Sequence, residues 1–518
     1  MYLAASALQE IDYELVKKVA ILELFAEEKW LTATEIARRL QMDTRSVGRI
    51  RHELMKEYQR FTGSDLPLFI RDKQGYQMVI AENELEQEQF LIHLIRHTLS
   101  IQMLEEMIGE TVDSLHGFSN AFFISETTAH RKLSEIKGRL ARSGIQLRRG
   151  SYRLAGDEMN VRMYLSIYYW RLFRGKIWPF RQIDQQIVSQ IADATMAFFD
   201  VDFHEMKKRR LEYLIAASLL RESQHHKITE ATVAPYLKQN DLFDSFSREI
   251  TPILPAYHQT ETAVGYLYLA LLTREEYYQQ ADKMTAIKKN YQQQEILFYQ
   301  HYQQITRQLI ENLQTEDRPQ GKQLLDQAQG YLLSGHLFVE LFPKLERGIN
   351  ADSFWRPSLQ RPMLHQWLKK HFDEIREKTG EESFSEHSLL FHRYMTILKE
   401  LPEFSPHLPC IRILLLTDLP LFEEDVLIKD LTHFFKRNYR LLFLRKPSEA
   451  SYDLCLTTSY LLWPLASGIP TVLITEELKM EDYIQLMEVF ETTVNQTEAE
   501  KSKESLKGKS SLRQNGFI

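Results

Sequence analysis

The chain has 518 residues, a formal net charge of −7, 44% hydrophobic, 26% charged and 11% aromatic residues. That is a globular mixture with length for about three or four domains, which excludes a disordered chain and a wholly basic nucleic-acid binder but leaves room for local basic patches. Two cysteines exclude a disulfide framework and suit a reducing compartment. No apolar run reaches the roughly 18 residues that span a bilayer, and Met1–Glu10 lacks the basic and apolar regions of a signal peptide. The expected location is therefore the cytoplasm, with no membrane partner.

The first predicted unit is a winged helix-turn-helix over 1–83. Thr34–Leu54 reads TEIARRLQMDTRSVGRIRHEL, with small Ala37 where two helices pack closely. Leu40, Met42, Val47, Ile50 and Leu54 are placed to pin the second helix to the first. Thr32 with Glu35 reads as a capping box, and Asp43 as the N-cap of the second helix. Leu68–Ile80, turning at Gly75, predicts a two-stranded wing. With the apolar positions turned in, Arg45, Ser46, Arg49 and His52 face out, where the start of a recognition helix meets base edges. Ile36–Arg60 holds seven Lys/Arg against three Asp/Glu, a surface suited to phosphates.

A second winged unit is predicted over 84–156. Phe90–Thr98 and Leu104–Leu115 read as helices. Ser125 caps Glu126–Arg142, with Ala129, Leu133, Ile136 and Leu140 on the inner face and Thr128, Arg131, Lys132 and Lys137 on the outer. Ile145–Leu154, turning at Gly150, is its wing, where Arg148, Arg149 and Arg153 can meet phosphates. Ser125–Arg153 carries eight Lys/Arg and two Asp/Glu. His93 and His97 have the i, i+4 spacing of metal ligands, but the Glu of HExxH and a third ligand are missing. No metal or cofactor is expected.

Long amphipathic helices follow, including Val161–Arg174, Phe203–Arg221, Ala263–Gln280, Gln292–Leu313 and Gln323–Leu345. They divide near residue 285 into all-helical domains over 157–284 and 285–401. From Pro402 the pattern becomes α/β: strands Ile411–Leu416, Leu441–Leu444, Leu454–Thr457 and Thr471–Ile474, with helices at Asp425–Lys436 and Met480–Phe490. This gives a small α/β domain over 402–493. The Lys-, Glu-, Ser- and Gln-rich stretch 494–518 is expected to be a disordered tail. The fold class is thus multidomain and mainly α.

The order of these parts, with ISETTAHRKL (Ile124–Leu133) and YRLAGDE (Tyr152–Glu158) running into MNVRMYLSIYYWRLF (to Phe173), resembles the Mga/AtxA family of global virulence regulators of Gram-positive bacteria. The resemblance reaches about residue 492. It implies that the two helical blocks are phosphotransferase-system regulation domains and that the α/β domain is similar to the IIB component of sugar transporters. It further implies a DNA-binding transcriptional regulator, a global activator, tuned by histidine phosphorylation and by homodimerisation. Its partners would be double-stranded DNA, a second copy of itself and the phosphocarrier protein of the sugar phosphotransferase system. An acceptor must be exposed near a helix start. His204 in VDFHEMKKRR matches the first acceptor place and His336 in SGHLFVELFP the second, with Lys207, Lys208 and Arg209 as partners for a phosphate. His225 and His226 are weaker candidates.

Two departures stand out. A later family histidine falls at Ala270 in GYLYLALL, and the cysteine a phosphate-carrying IIB domain needs after its first strand is replaced by Thr417, Asp418 and Leu419, with Cys410 on the wrong side. Without that thiolate there is no nucleophile, and no GxxxxGK[ST] phosphate loop is present, so no enzymatic activity is expected. Competing readings are an RNA-binding antiterminator, which would begin with a β-rich module, and a phosphotransferase-system relay protein.

Overall fold

In a computed structural model, the structure describes residues 12–27, 29–312, 318–345, 362–386, 388–398, 408–417, 419–436, 438–445, 451–458, 469–475, 478–479 and 482–494. The chain falls into two compact units, one of Met1–Ile305, Gln329–Trp355 and Ser388–Leu390, the other of Thr306–Ala328, Arg356–His387 and Phe391–Ile518.

The first unit begins with α1 (Tyr13–Glu27), α2 (Ala33–Arg39), α3 (Thr44–Thr62) and the hairpin β1 (Phe69–Asp72)–β2 (Gly75–Met78). Thr32 caps α2, its hydroxyl accepting the Glu35 N–H at 3.2 Å, and Asp43 caps α3 by accepting the Ser46 N–H at 2.8 Å. Val47, Ile50, Leu54 and Tyr58 recur at helical spacing and are buried. Leu31 adds a bridge to Tyr76 beside the hairpin. Gly75 has φ +123, and a Cβ there would lie 2.5 Å from the Leu31 carbonyl oxygen, so the wing requires glycine.

The same plan returns in α4 (Glu84–Arg96), α5 (Leu99–Gly109), α6 (Leu115–Phe122), α7 (Glu126–Arg142) and the short antiparallel wing β3 (Gln146–Leu147)–β4 (Leu154–Ala155). The two units match at one constant offset. Ser114 caps α6 as Thr32 caps α2, and Ser125 caps α7 as Asp43 caps α3. In both turns a residue in the left-handed region, Gln41 at φ 50 and Phe123 at φ 52, ends the first helix. The next amide reaches back, Met42 to the Ala37 carbonyl at 2.9 Å and Ile124 to that of Ser119 at 3.1 Å. The helix predicted over Leu104–Leu115 is instead two: Glu110 turns left-handed at φ 56, and Ser114 starts α6 afresh.

The helices that follow in the chain are α8 (Glu158–Phe173), α9 (Gln185–Phe199), α10 (Glu205–Ser223), α11 (Glu230–Leu237), α12 (Asp241–Ile250), α13 (Glu261–Leu272), α14 (Ala281–Gln293), α15 (Leu297–Asn312), α16 (Arg318–Gln327) and α17 (Gln329–Leu341). Those of the first unit form a helical block, while α16 and α15 from Thr306 on belong to the second unit. Three predicted spans are shorter or split. The helix from Ala263 ends at Leu272 before a 3-10 turn, Glu295 at φ 50 separates α14 from α15, and Ala328 separates α16 from α17. In α10, Leu211–Glu222 are buried without interruption, and in α13 so are Ala263–Leu272. Helices buried on every side are the core of the block.

That core holds charge. Arg162 of α8 is 0% exposed and donates to Glu222 at 2.7 Å, to Glu158 at 3.2 Å, to Ser218 Oγ at 3.1 Å and to the His226 carbonyl at 2.8 Å. Arg221 grips Glu158 through two bonds, at 2.9 and 2.7 Å, and donates to the Leu154 carbonyl of β4 at 3.3 Å. His226 and Arg153 both pair with Glu110. Each buried ion thus has its counter-charge, and the network runs from the second wing into the block.

In the second unit lie α18 (Pro362–Thr379), most of α19 (Leu389–Leu398) and an α/β sheet. β5 (Cys410–Leu416), β6 (Arg440–Leu444), β7 (Leu454–Thr457) and β8 (Thr471–Leu473) are all parallel, in the order β6-β5-β7-β8. α20 (Leu421–Phe435) and a helix over 482–494 cover it, with Leu431, Phe435, Leu486 and Phe490 packed on Ile411, Ile413 and Leu415. Cys410 opens β5 exposed, and Cys455 is buried in β7. Asp418 and the tail from residue 495 lie outside the described residues.

Candidate nucleic-acid interface

On α3 the burial of Val47, Ile50 and Leu54 leaves Arg45, Arg49 and His52 exposed. Ser46 is half-buried, and its hydroxyl donates to Asp43 at 2.6 Å, so it serves the cap. That bond and the Ser46 N–H hold the Asp43 carboxyl below its usual range. Arg49 pairs with Glu53 at 2.8 Å, an exposed i, i+4 contact worth about 0.3–0.5 kcal/mol and readily exchanged for a stronger anion. Arg51 lies over the Tyr76 ring at 3.5 Å, which fixes the wing against the helix.

α7 repeats the arrangement. Thr128 takes the place of Ser46 and exchanges a 2.9 Å hydroxyl contact with Ser125. Arg131 takes the place of Arg49 and faces Glu135, its counterpart of Glu53, at 3.9 Å. Arg131 and Lys137 are exposed as expected.

Lys132 is a correction. Expected on the outer face, it is 8% exposed, bonded to Glu135 at 3.1 Å and 3.8 Å from Asp12. It occupies the place of Ile50, in register with Ala129 and Ile136, so helical periodicity turns it inward. Asp12 also accepts the Leu15 N–H at 3.0 Å and the Ser100 hydroxyl at 2.7 Å. Burial pushes its carboxyl up, but these bonds with Lys132 and Arg139 hold it below its usual value. Thr127, His130 and Ser134, exposed at helical spacing beside Arg131, are the outward residues that the sequence reading passed over.

At the tip of the second wing, Gly150 at φ 80 and Tyr152 at φ 49 turn the chain, leaving Arg148 and Arg149 exposed. Arg153 is paired with Glu110 at 3.3 Å, which draws it away from the tip. Alanine at both Arg131 and Lys137 is expected to weaken duplex binding severalfold without shifting thermal unfolding. Lys132→Ala is expected to do the reverse, costing about 1–3 kcal/mol by stranding Asp12. Affinity titrations and thermal melts of these variants check the pair.

His204 is exposed at the N-cap of α10, its side chain making no cap bond. The neighbouring cations already have carboxylates: Lys207 with Glu276 at 3.3 Å, Lys208 with Asp193 at 2.6 Å, and Arg209 with Glu205 at 3.0 Å and Glu212 at 2.8 Å. His336 does not meet the requirement of exposure near a helix start. It is 2% exposed, in the second half of α17, edge-on to Tyr302 at 6.0 Å. The run LFVELF that follows it makes α17 a core helix and carries the histidine inside. Among the described residues no group of His, Cys, Asp and Glu is arranged to hold a metal, and no helix is long and apolar enough to cross a membrane.

Residues 83–169 match the Mga helix-turn-helix domain, a span that includes α4 to α7 and most of α8. Over 252 residues, 46% of this chain and 50% of the relative, the sequence is 23% identical to the capsule synthesis positive regulator AcpB of Bacillus anthracis. It is 18% identical over 224 residues (42% and 44%) to the capsule synthesis positive regulator AcpA of the same organism. It is 19% identical over 274 residues (51% and 54%) to its anthrax toxin expression trans-acting positive regulator. The match spans about half the length of each of these curated relatives.

Proposed function

From kinship with the Mga/AtxA-like virulence regulators, we propose that this chain is a transcriptional activator that binds duplex DNA through both helix-turn-helix units. The observation that carries the reading is the repeated outward face: Arg49 with Glu53 and Arg131 with Glu135 stand at the same place on two helices capped in the same way. Arg45, Arg49 and His52 read one major groove and Thr127, His130, Arg131 and Lys137 the next, a bidentate arginine on guanine contributing roughly 1–3 kcal/mol of discrimination. Arg148 and Arg149 meet phosphates. Activation is favoured because the relatives are named positive regulators.

The helical blocks act as phosphotransferase-system regulation domains, supported by an exposed His204 at a helix start, where backbone N–H groups favour a phosphate. The phosphocarrier protein is the donor. The added charge of nearly two units competes with Glu205 and Glu212 for Arg209. His336 becomes an acceptor only if α17 opens. The parallel sheet with Thr417 after β5 supports a IIB-like module without phosphoryl transfer, which serves homodimerisation.

A salt titration of the full chain on duplex DNA tests the reading. Neutralising about six phosphates gives a log–log slope near −5. Absence of binding at low salt, or preference for a hairpin RNA in competition, overturns it.

A further inference from the structure

A cavity of about 380 Å³ opens where α3, α4, α5, α6 and the loop after α8 meet. Its volume lies at the small end of the roughly 300–1,000 Å³ of ligand sites, the size for one metabolite. Phe61 comes from the end of α3 and Phe122 from the end of α6. His93 and His97 stack at 4.0 Å between centroids, and Phe61 lies 5.5 Å from His93. Burial, and then His97, lower the proton affinity of His93, which makes the imidazole a neutral ring for stacking.

The charged groups are Arg96 from the last turn of α4, Arg181 from the loop, and Glu105 and Glu106 from α5, with Glu106 already accepting the Thr111 hydroxyl. No salt bridge or side-chain hydrogen bond satisfies Arg96, Arg181 or Glu105 among the described residues. Burial pushes the Glu105 carboxyl up while Arg181 and Arg96 pull it back, so both guanidinium groups act on this carboxylate. Arg96 and Arg181 stand exposed at the mouth of the cavity and Glu105 is half-buried, whereas the fully buried Arg162 and Glu222 are closed into a pair. Two cations and one carboxylate left open around an aromatic-walled cavity call for a ligand carrying both signs. A phosphate monoester would set its second charge against Glu105, and a diamine would meet the arginines.

We propose that this cavity binds one aromatic α-amino acid as its zwitterion. Arg96 and Arg181 take the carboxylate, Glu105 takes the ammonium, and the ring lies among Phe61, Phe122 and the histidine pair. The ligand would clasp both helix-turn-helix units to the helical block. Binding itself does not rest on the DNA reading, so the two succeed or fail separately.

The test is thermal shift and calorimetric titration of the full chain with L-phenylalanine and L-tryptophan, alongside 3-phenylpropionate, which lacks the ammonium, and 2-phenylethylamine, which lacks the carboxylate. At least one amino acid is expected to raise the melting temperature, with each truncated probe at least about tenfold weaker, the loss of one charged hydrogen-bonded contact. Glu105→Gln should bring L-phenylalanine down to the level of 3-phenylpropionate. Arg96→Ala should weaken both acids and spare the amine. Neither substitution removes an existing bond, so both variants should melt like the parent without ligand. No response to either amino acid at about 10 mM, an equal response in both variants, or a stronger response to inorganic phosphate overturns the proposal.

Discussion

Arg162→Met is expected to lower the stability of the first helical block by about 3–5 kcal/mol, the cost of removing one partner from a buried ion pair. Arg162 is 0% exposed, and without it Glu222, equally buried, retains Lys227 as its cation among the described residues. Ser218 Oγ and the His226 carbonyl lose a donor as well. Methionine fills part of the volume, so the loss reports charge rather than a cavity. Hydrogen exchange of the α8 and α10 amides isolates the effect from the rest of a multidomain chain. The double variant with Glu222→Met should recover part of the loss. A single-variant loss under about 1 kcal/mol would sink the account, since that is the scale of an exposed pair.

Acid should unlock the same block through His258. Burial, followed by the charges of Arg162 and Lys227, pushes this imidazole down to about 3, against about 6.5 in an unfolded chain. The unfolded state then takes up a proton that the folded state refuses. This stability is complete above about pH 6.5, falls by about 1.4 kcal/mol per unit below it, and is spent near pH 3, a total of about 4–5 kcal/mol. Carboxylates held low by their bonds, such as Asp12, add their loss only below about pH 4. Between about pH 4.5 and 6.5 His258 shares the window with His93, whose proton affinity is also lowered, so the part that belongs to His258 is read from its own variant. His258→Gln should flatten the slope of unfolding free energy there by about one proton. An unchanged slope would show that His258 takes up its proton without unfolding the block.

What could be read from the sequence followed from how local the cause was. Asp43, Ser125 and Thr32 announce helix starts because their side chains satisfy amides three residues away. Gly75 and Gly150 announce wings because the turns need positive φ. The four strands of the parallel sheet were legible as short apolar runs. Helix interruptions at Glu110 and Glu295 were not, because left-handed residues there are neither glycine nor asparagine. Lys132 was misplaced by its chemical type when its spacing with Ala129 and Ile136 already turned it inward. His336 was judged by its neighbours in sequence, whereas its burial is set by packing in the block. The cavity lined by Arg96, Glu105 and Arg181 gathers residues far apart in the chain, and no local pattern could bring them together.

The constant offset between the two helix-turn-helix units carries a historical meaning. Caps, turn and recognition helix correspond from Thr32 and Ser114 to Leu54 and Ile136 without an inserted or deleted residue, as expected of a tandem duplication whose copies kept their framework while their surfaces diverged. The interior changed at one telling place, where the apolar Ile50 of one copy answers to Lys132 of the other, which holds Asp12 ahead of α1. A lysine that would be a defect in a solitary unit is here the latch that joins the pair, so the second copy, cut free of Asp12, is expected to stand alone only with an apolar residue restored at position 132.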